Sequence, residues 1–262
     1  MKQRIITALI LIAIVVPIAI LGGNLFRLLV AIILGCALYE LLKIIRKPKW
    51  SIVLDLLVYA YGYYVVFLDT SRFFMNSIVF MLFAVVLFTL SLFFECLDNG
   101  KVNFLLGFVS FVCIGLHCIL NIRLTYGLPS ILFIALATYG SDTGAYFAGV
   151  KFGKHKLIER LSPKKTIEGS IGGVLFGTLI ASIYVYFYPI DLSFVSCVVL
   201  AFILTFTAQV GDLTFSSVKR FYGIKDFSNL LPGHGGILDR IDSLLFNSVV
   251  FALFLSIVAY LF

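Results

Sequence analysis

Apolar residues fall along this chain in long blocks, and polar residues gather between the blocks rather than alternating within them. A helix that crosses a membrane needs about 20 predominantly apolar residues. Windows of that kind occur nine times, at residues 5–21, 25–42, 51–68, 73–94, 104–120, 128–148, 169–188, 192–211 and 244–262. The pattern predicts an all-α, polytopic membrane protein with about nine transmembrane helices. Asp142 interrupts the sixth window. The first follows Met-Lys-Gln-Arg as the core of a signal sequence would, but no A-x-A-like site comes after it. It reads as a retained span.

With nine spans, the N-terminus and every even-numbered connection share one side. That side collects 17 of the 20 Lys and Arg residues: Lys2, Arg4, Lys43, Arg46, Lys47, Lys49, Lys101, Lys151, Lys154, Lys156, Arg160, Lys164, Lys165, Lys219, Arg220, Lys225 and Arg240. The other side has Arg27, Arg72 and Arg123. Cytoplasmic connections carry the excess of basic residues, so the N-terminus is expected inside and the C-terminus outside.

Composition agrees. Hydrophobic residues make up 61% of the 262 and charged residues 13%, against roughly 25% charged in a soluble domain. Disorder, a collagen-like repeat and a secreted disulfide scaffold are excluded. The net charge of +7 reads as the inside bias together with attraction to anionic headgroups. No Arg-rich tail or aromatic-basic motif argues for nucleic acid. The five cysteines include no C-x-x-C pair, and His117 has no partner at ligand spacing, so these read as packing residues.

Two inside connections are long and polar, at 149–168 and 212–243. Residues 1–125 read as a transmembrane scaffold, and 126–262 as the region that carries the chemistry. No internal repeat is present, which weighs against a transporter built from duplicated halves. The stretch Ser141-Asp142-Thr143-Gly144-Ala145-Tyr146 places a carboxylate near the end of a span. That costs roughly 2.5–3.5 kcal/mol at a helix centre unless a polar cavity or a cation receives it. Gly149 to His155 is one residue short of a P-loop and lacks its hydroxyl residue. Ser162-Pro163-Lys164-Lys165-Thr166-Ile167-Glu168-Gly169 puts two lysines before a helix start, an arrangement suited to a phosphate. Gly169, Gly173 and Gly177 recur every four residues and predict a close helix contact, within one chain or in a homodimer.

The richest stretch begins at Gly211-Asp212 and continues through Ser216-Ser217-Val218-Lys219-Arg220, Lys225-Asp226 and Pro232-Gly233-His234-Gly235-Gly236-Ile237-Leu238-Asp239-Arg240-Ile241-Asp242. Asp239 and Asp242, three apart, share a helix face. The glycines let backbone approach a ligand closely. Carboxylates converging at a membrane edge suit a hard cation such as Mg²⁺, which takes one or two of them plus substrate phosphates. Basic groups beside such a site point to metal-assisted phosphoryl or nucleotidyl transfer on a lipid.

Residues 216–242 match, at every fixed position, the signature S-x-V-K-R-x4-K-D-x-S-x2-L-P-x-H-G-G-I-x-D-R-I-D of the phosphatidate cytidylyltransferases (CDP-diacylglycerol synthases). The chain thus resembles that family most specifically over 140–243. The resemblance implies that CTP and phosphatidate give CDP-diacylglycerol and diphosphate with Mg²⁺. The small size and lack of extensions add the inside face of a bacterial plasma membrane as the expected location. The resemblance further implies Asp212 and Asp239 as metal ligands, with room for a monovalent cation such as K⁺. Lys219, Arg220, Asp226, His234 and Asp242 join them as candidate catalytic residues. Asp142, Lys164, Lys165, Thr166, Ser216, Lys225, Gly235, Gly236 and Arg240 are candidates for substrate binding. Rival readings are a CTP-dependent kinase or cytidylyltransferase acting on another lipid and, from a different class, a cation-coupled transporter. A CDP-alcohol phosphotransferase is disfavoured because its D-G-x2-A-R core is absent.

Overall fold

The computed structural model describes residues 2–46, 48, 50–68 and 73–261, with side chains described over 6–46, 48, 50–68 and 77–259. The side chains of Lys2, Arg4, Lys47, Lys49 and Arg72, which enter the charge bias, lie outside the described residues. The helices in chain order are α1 (Lys2–Leu21), α2 (Gly23–Ile45), α3 (Ile52–Phe67), α4 (Phe73–Phe93), α5 (Asn99–Phe104), α6 (Ser110–Thr125), α7 (Gly127–Phe152), α8 (Ile167–Phe187), α9 (Phe194–Phe221) and α10 (Leu238–Leu261). A π-helical turn, Leu105–Val109, joins α5 to α6. The described chain therefore contains nine helical runs, one over each apolar window.

Five of these runs are long and apolar enough to cross a membrane: Gly23–Ile45, Asn99–Thr125, Ile167–Phe187, Phe194–Phe221 and Leu238–Ala259. Three further apolar segments, Ile6–Leu21, Ile52–Phe67 and Ser77–Phe93, are shorter. Large apolar side chains such as Leu175 and Phe202 lie exposed on the outside, a surface that water would not tolerate but lipid would. Local capping starts several helices. Ser51, Thr166 and Ser193 each accept a backbone N–H of the first turn that follows, as N-caps do.

The expectation of an all-helical chain needs correction at the first long connection. Lys156–Ile158 (β1) pairs antiparallel with Ser162–Thr166 (β2), with Lys156 opposite Thr166 and Ile158 opposite Ser162. Lysines on exposed strands and a proline at 163 conceal the alternation that marks a strand. Both long connections are also shorter than the apolar windows indicate. α7 continues to Phe152 and α9 to Phe221, because helical hydrogen bonding persists where hydropathy stops. Asp212, Ser216, Lys219 and Arg220 consequently stand on a rigid helix end.

Two buried clusters form the core. One gathers Leu34, Leu38 and Leu41 of α2 with Leu54 and Val58 of α3 and Val112 and Leu116 of α6. The other joins Phe133 and Ala137 of α7, Ala181 of α8, Leu200 and Leu204 of α9, and Phe251 of α10. The glycine stripe seats α8 on α7 of the same chain. A Cβ on Gly173 would stand 2.6 Å from the Ser141 carbonyl oxygen, and one on Gly177 would stand 2.7 Å from the Ser141 nitrogen. Away from the polar connections, Arg123 donates to the carbonyls of Ala19 and Ile20 and fastens the end of α1.

Candidate active site

Along α9, Gln209, Asp212, Ser216 and Lys219 are spaced three or four apart and so lie on one face. Two lysine–aspartate pairs grow from that face. Asp212 pairs with Lys165, which arrives from β2. Lys219 donates to Asp239 Oδ1 at 2.7 Å and stands 5.4 Å from the centre of the Phe227 ring. Asp142 of α7 and Asp242 of α10 lie within electrostatic reach of Asp212, and Asp242 also feels Lys219. Asp142, Asp212 and Asp242, from α7, α9 and α10, thus feel one another's charge, with Lys165 paired to Asp212.

Between α7, α8 and the hairpin opens a cleft of about 340 Å³. Asp142, Lys164, Lys165, Thr166, Ser170 and Gln209 supply its polar wall, and Ala145, Tyr146, Val150 and Leu157 its apolar one. The hairpin is held to the helices by Glu168, whose carboxylate accepts the backbone N–H groups of Lys154 and His155 and the His155 ring at 2.6 Å. Beneath the cleft, Gln209 Nε2 donates to Ser141 Oγ at 3.2 Å and to the Ser170 carbonyl at 3.0 Å, while Ser170 donates back to Gln209. This network satisfies polar atoms that would be costly unpaired.

The connection from α9 to α10 folds as a tight loop. Leu231 N donates to the Gly235 carbonyl and His234 N to that of Leu231, both at 2.9 Å. Gly235 takes φ +84°, a left-handed conformation that glycine adopts without strain. Asp239 Oδ2 accepts Phe227 N and Gly236 N, both at 2.9 Å. A first-turn acid thus reaches back to the free N–H groups before its own helix. Arg240 Nε holds the His234 carbonyl at 2.9 Å. His234 Nδ1 is buried and has no hydrogen-bond partner among the described residues.

The residues singled out in the sequence do not all converge. Asp142, Asp212 and Asp242 come together, as do Lys219 and Asp239, and Lys164, Lys165 and Thr166 line the cleft. Ser216 shares the α9 face. Lys225 and Asp226 are exposed beside the loop, with the Asp226 side chain against Gly235. Arg220 is exposed and donates to the Ile224 carbonyl, just past the end of α9, at 2.9 Å. Among the described residues, no three His, Cys, Asp or Glu side chains form a ready-made cation cage.

Three residues went unread in the sequence: Ser170 and Gln209, in the wall of the cleft, and Glu40. Glu40 of α2 is fully buried and accepts Ser228 Oγ at 2.6 Å, Ile237 N at 2.8 Å and Leu238 N at 2.9 Å. The signal was available, since a lone carboxylate in the apolar run Ala37-Leu38-Tyr39-Glu40-Leu41-Leu42 is expensive in a membrane and calls for a partner.

A sequence model of the cytidylyltransferase family matches residues 2–258. The chain is 35% identical to the phosphatidate cytidylyltransferase of Staphylococcus haemolyticus over 94% of its own length and 95% of that protein. It is 33% identical to that of Bacillus subtilis, over 94% of each chain. It is 34% identical to that of Staphylococcus aureus, over 94% and 95% respectively. A match that runs through the scaffold helices as well as the polar helix ends leaves one assignment: this chain belongs to the cytidylyltransferase family.

Proposed function

We propose that the chain is a phosphatidate cytidylyltransferase. A phosphatidate oxygen attacks the α-phosphorus of CTP, a new P–O bond forms, the α–β anhydride bond breaks, and diphosphate leaves. CDP-diacylglycerol remains in the membrane. The observation that carries this reading is the pair of Lys–Asp contacts on one face of α9, with Asp142 and Asp242 within electrostatic reach of Asp212, beside a cleft with one polar and one apolar wall. A phosphomonoester is largely ionised near neutral pH, so the nucleophile needs little help from a base. The obstacle is repulsion between two anions, and Lys164 and Lys165 on one side and Lys219 and Arg240 on the other are placed to lower it. The apolar wall of Ala145, Tyr146 and Val150 suits the glycerol end of the lipid, and the backbone of the 231–236 loop suits the nucleotide phosphates.

Carboxylate oxygens are the hard donors that Mg²⁺ takes, with substrate phosphates completing the shell, and Asp239 would have to give up Lys219 to offer one. Asp212 and Asp239 would hold it, with Asp142 and Asp242 adding negative field, and a monovalent cation would share the same carboxylates. When bound, the ion screens the anionic reactants and stabilises the leaving diphosphate. Lys165 and Lys219, now paired with those aspartates, would then be free to turn to phosphate.

Nine spans, with the N-terminus inside, would put the hairpin, the signature loop and this site on the cytoplasmic face of a bacterial plasma membrane. The pairing of Thr7 with the Pro232 carbonyl at 3.0 Å supports the start of α1 and the signature loop sharing one side. A homodimer would need a face other than the glycine stripe, which α7 already covers.

The test is transfer of α-labelled CTP into chloroform-soluble lipid by the purified chain with phosphatidate and Mg²⁺. Label in CDP-diacylglycerol is expected. Label entering a lipid alcohol from γ-labelled CTP would turn the assignment to a lipid kinase. Cation uptake into liposomes without CTP, and no transfer, would turn it to a transporter.

A further inference from the structure

We propose that Glu40, in the scaffold half of the chain, is a positioning residue that clasps the signature loop and sets its fit to the nucleotide. Its carboxylate collects donors from both ends of one loop. Ser228 Oγ enters it, and Ile237 N and Leu238 N leave it for α10. A simple helix cap would engage only the latter two. Between those ends lie the Pro232–Gly236 turn and His234, whose Nδ1 is buried without a partner. The clasp is rigidly mounted, because Leu38, Leu41 and Leu42 around Glu40 are fully buried in the larger core cluster. It also accounts for the second glycine of the signature. A Cβ on Gly236 would stand 2.5 Å from Glu40 Oε1, so a side chain at 236 would push the carboxylate off its present seat.

Asp239 completes the arrangement from the other side, accepting Gly236 N while pairing with Lys219. Successive N–H groups at 236, 237 and 238 are thereby shared between an α10 carboxylate and an α2 carboxylate. Withdrawing the α2 partner frees two of them and loosens the loop, while the cleft between α7 and α8 is untouched. The role therefore predicts a change on the CTP side alone. This inference rests on the cytidylyltransferase reading above for its kinetic arm, and on geometry alone for its structural arm.

The experiment uses the full-length purified chain as wild type, Glu40→Gln, Glu40→Ala and Ser228→Ala. Hydrogen–deuterium exchange is followed in peptides covering 226–238 and in peptides of α7 and α8. Initial rates are measured against CTP and against phosphatidate separately. In Glu40→Gln we expect exchange at residues 237 and 238 to quicken at least tenfold, with α7 and α8 unchanged. The KM for CTP should rise at least fivefold and that for phosphatidate stay within twofold, with Ser228→Ala moving the same way by less. Wild-type exchange in the loop overturns the clasp. A fall in kcat with both KM values unchanged, or a rise in both together, overturns the positioning role, because loss of folded enzyme or general disruption produces those results. If Glu40→Ala fails to accumulate, the other two variants decide. If the wild type transfers no label from CTP, the catalytic reading fails while the exchange arm still judges the clasp.

Discussion

The two lysine–aspartate pairs on α9 are chemically alike and physically different. The Lys219 and Asp239 side chains are 9% and 3% exposed, whereas those of Lys165 and Asp212 are 31% and 29% exposed. A buried pair has given up its hydration, so removing one partner strands the other charge and costs about 3–5 kcal/mol. A pair open to water is worth about 0–1 kcal/mol, because solvent competes with it. The first pair also carries the loop, through Phe227 N and Gly236 N on Asp239. The second joins a two-stranded hairpin to a helix end, and its lysine lines the cleft. One pair builds the site and the other faces what enters it.

That difference makes Asp239→Asn the most damaging single change. Neutralising Asp239 leaves Lys219 charged and buried and weakens the acceptor for two loop N–H groups. We expect CTP-dependent transfer to fall at least a thousandfold and the unfolding midpoint in detergent to drop clearly, in line with about 3–5 kcal/mol. An Asp239→Asn protein as stable as wild type would erase the distinction between the pairs.

Asp212→Asn sharpens the contrast. It removes the α9 carboxylate nearest Asp142 and Asp242, so transfer should fall at least a hundredfold. The partner left behind, Lys165, reaches solvent, so stability should change by no more than about 1 kcal/mol. Thermal unfolding and the label-transfer assay, run on the same preparation, check both halves. Full activity in Asp212→Asn would remove it from the proposed Mg²⁺ site.

How much of this was legible beforehand follows the same division. Every apolar window carries a helical run, because burial of apolar side chains in lipid needs only composition and length to be read. The chemistry-bearing end was legible where carboxylates, lysines and glycines crowd into residues 212–242, and Lys219 and Asp239 do pair there, with Asp242 within electrostatic reach of Asp212 and Lys219. The hairpin was not legible. Its strands are three and five residues long, too short for alternation to show, and the Glu168 carboxylate that fastens it reaches 13 and 14 residues back. Glu40 escaped for a related reason. Its partners lie 188 to 198 residues away, and no local pattern encodes so distant a contact. Only the oddity of an acid among leucines could have announced it.

Lys164→Ala and Lys165→Ala test the open pair from the substrate side. Both lysines line the cleft, and each is expected to act on a phosphate as a point charge. Loss of one should raise the KM for phosphatidate roughly tenfold, equivalent to about 1.4 kcal/mol, with the KM for CTP moving less. The effect should shrink as ionic strength rises, since exposed charges are screened over about 8–10 Å. A shift confined to CTP would exchange the two substrate assignments across the site.

The smallest effect is expected at Glu168, which fastens the hairpin that carries those lysines. Its carboxylate holds Lys154 N at 3.0 Å and His155 N at 3.2 Å, and also pairs with the exposed His155 ring. Glu168→Gln keeps one amide oxygen as an acceptor and loses the second, so the hairpin should stay paired but sit less firmly. Thr166 still caps α8 through Gly169 N at 3.1 Å, and the main-chain pairing of β1 with β2 does not involve the carboxylate. We therefore expect the KM for phosphatidate to rise no more than about threefold and the KM for CTP to stay put. His155→Ala should reproduce only part of that change, since the two backbone N–H groups keep their acceptor. A Glu168→Gln variant as impaired as Lys165→Ala would mean that the hairpin's position, rather than its charge, limits the cleft.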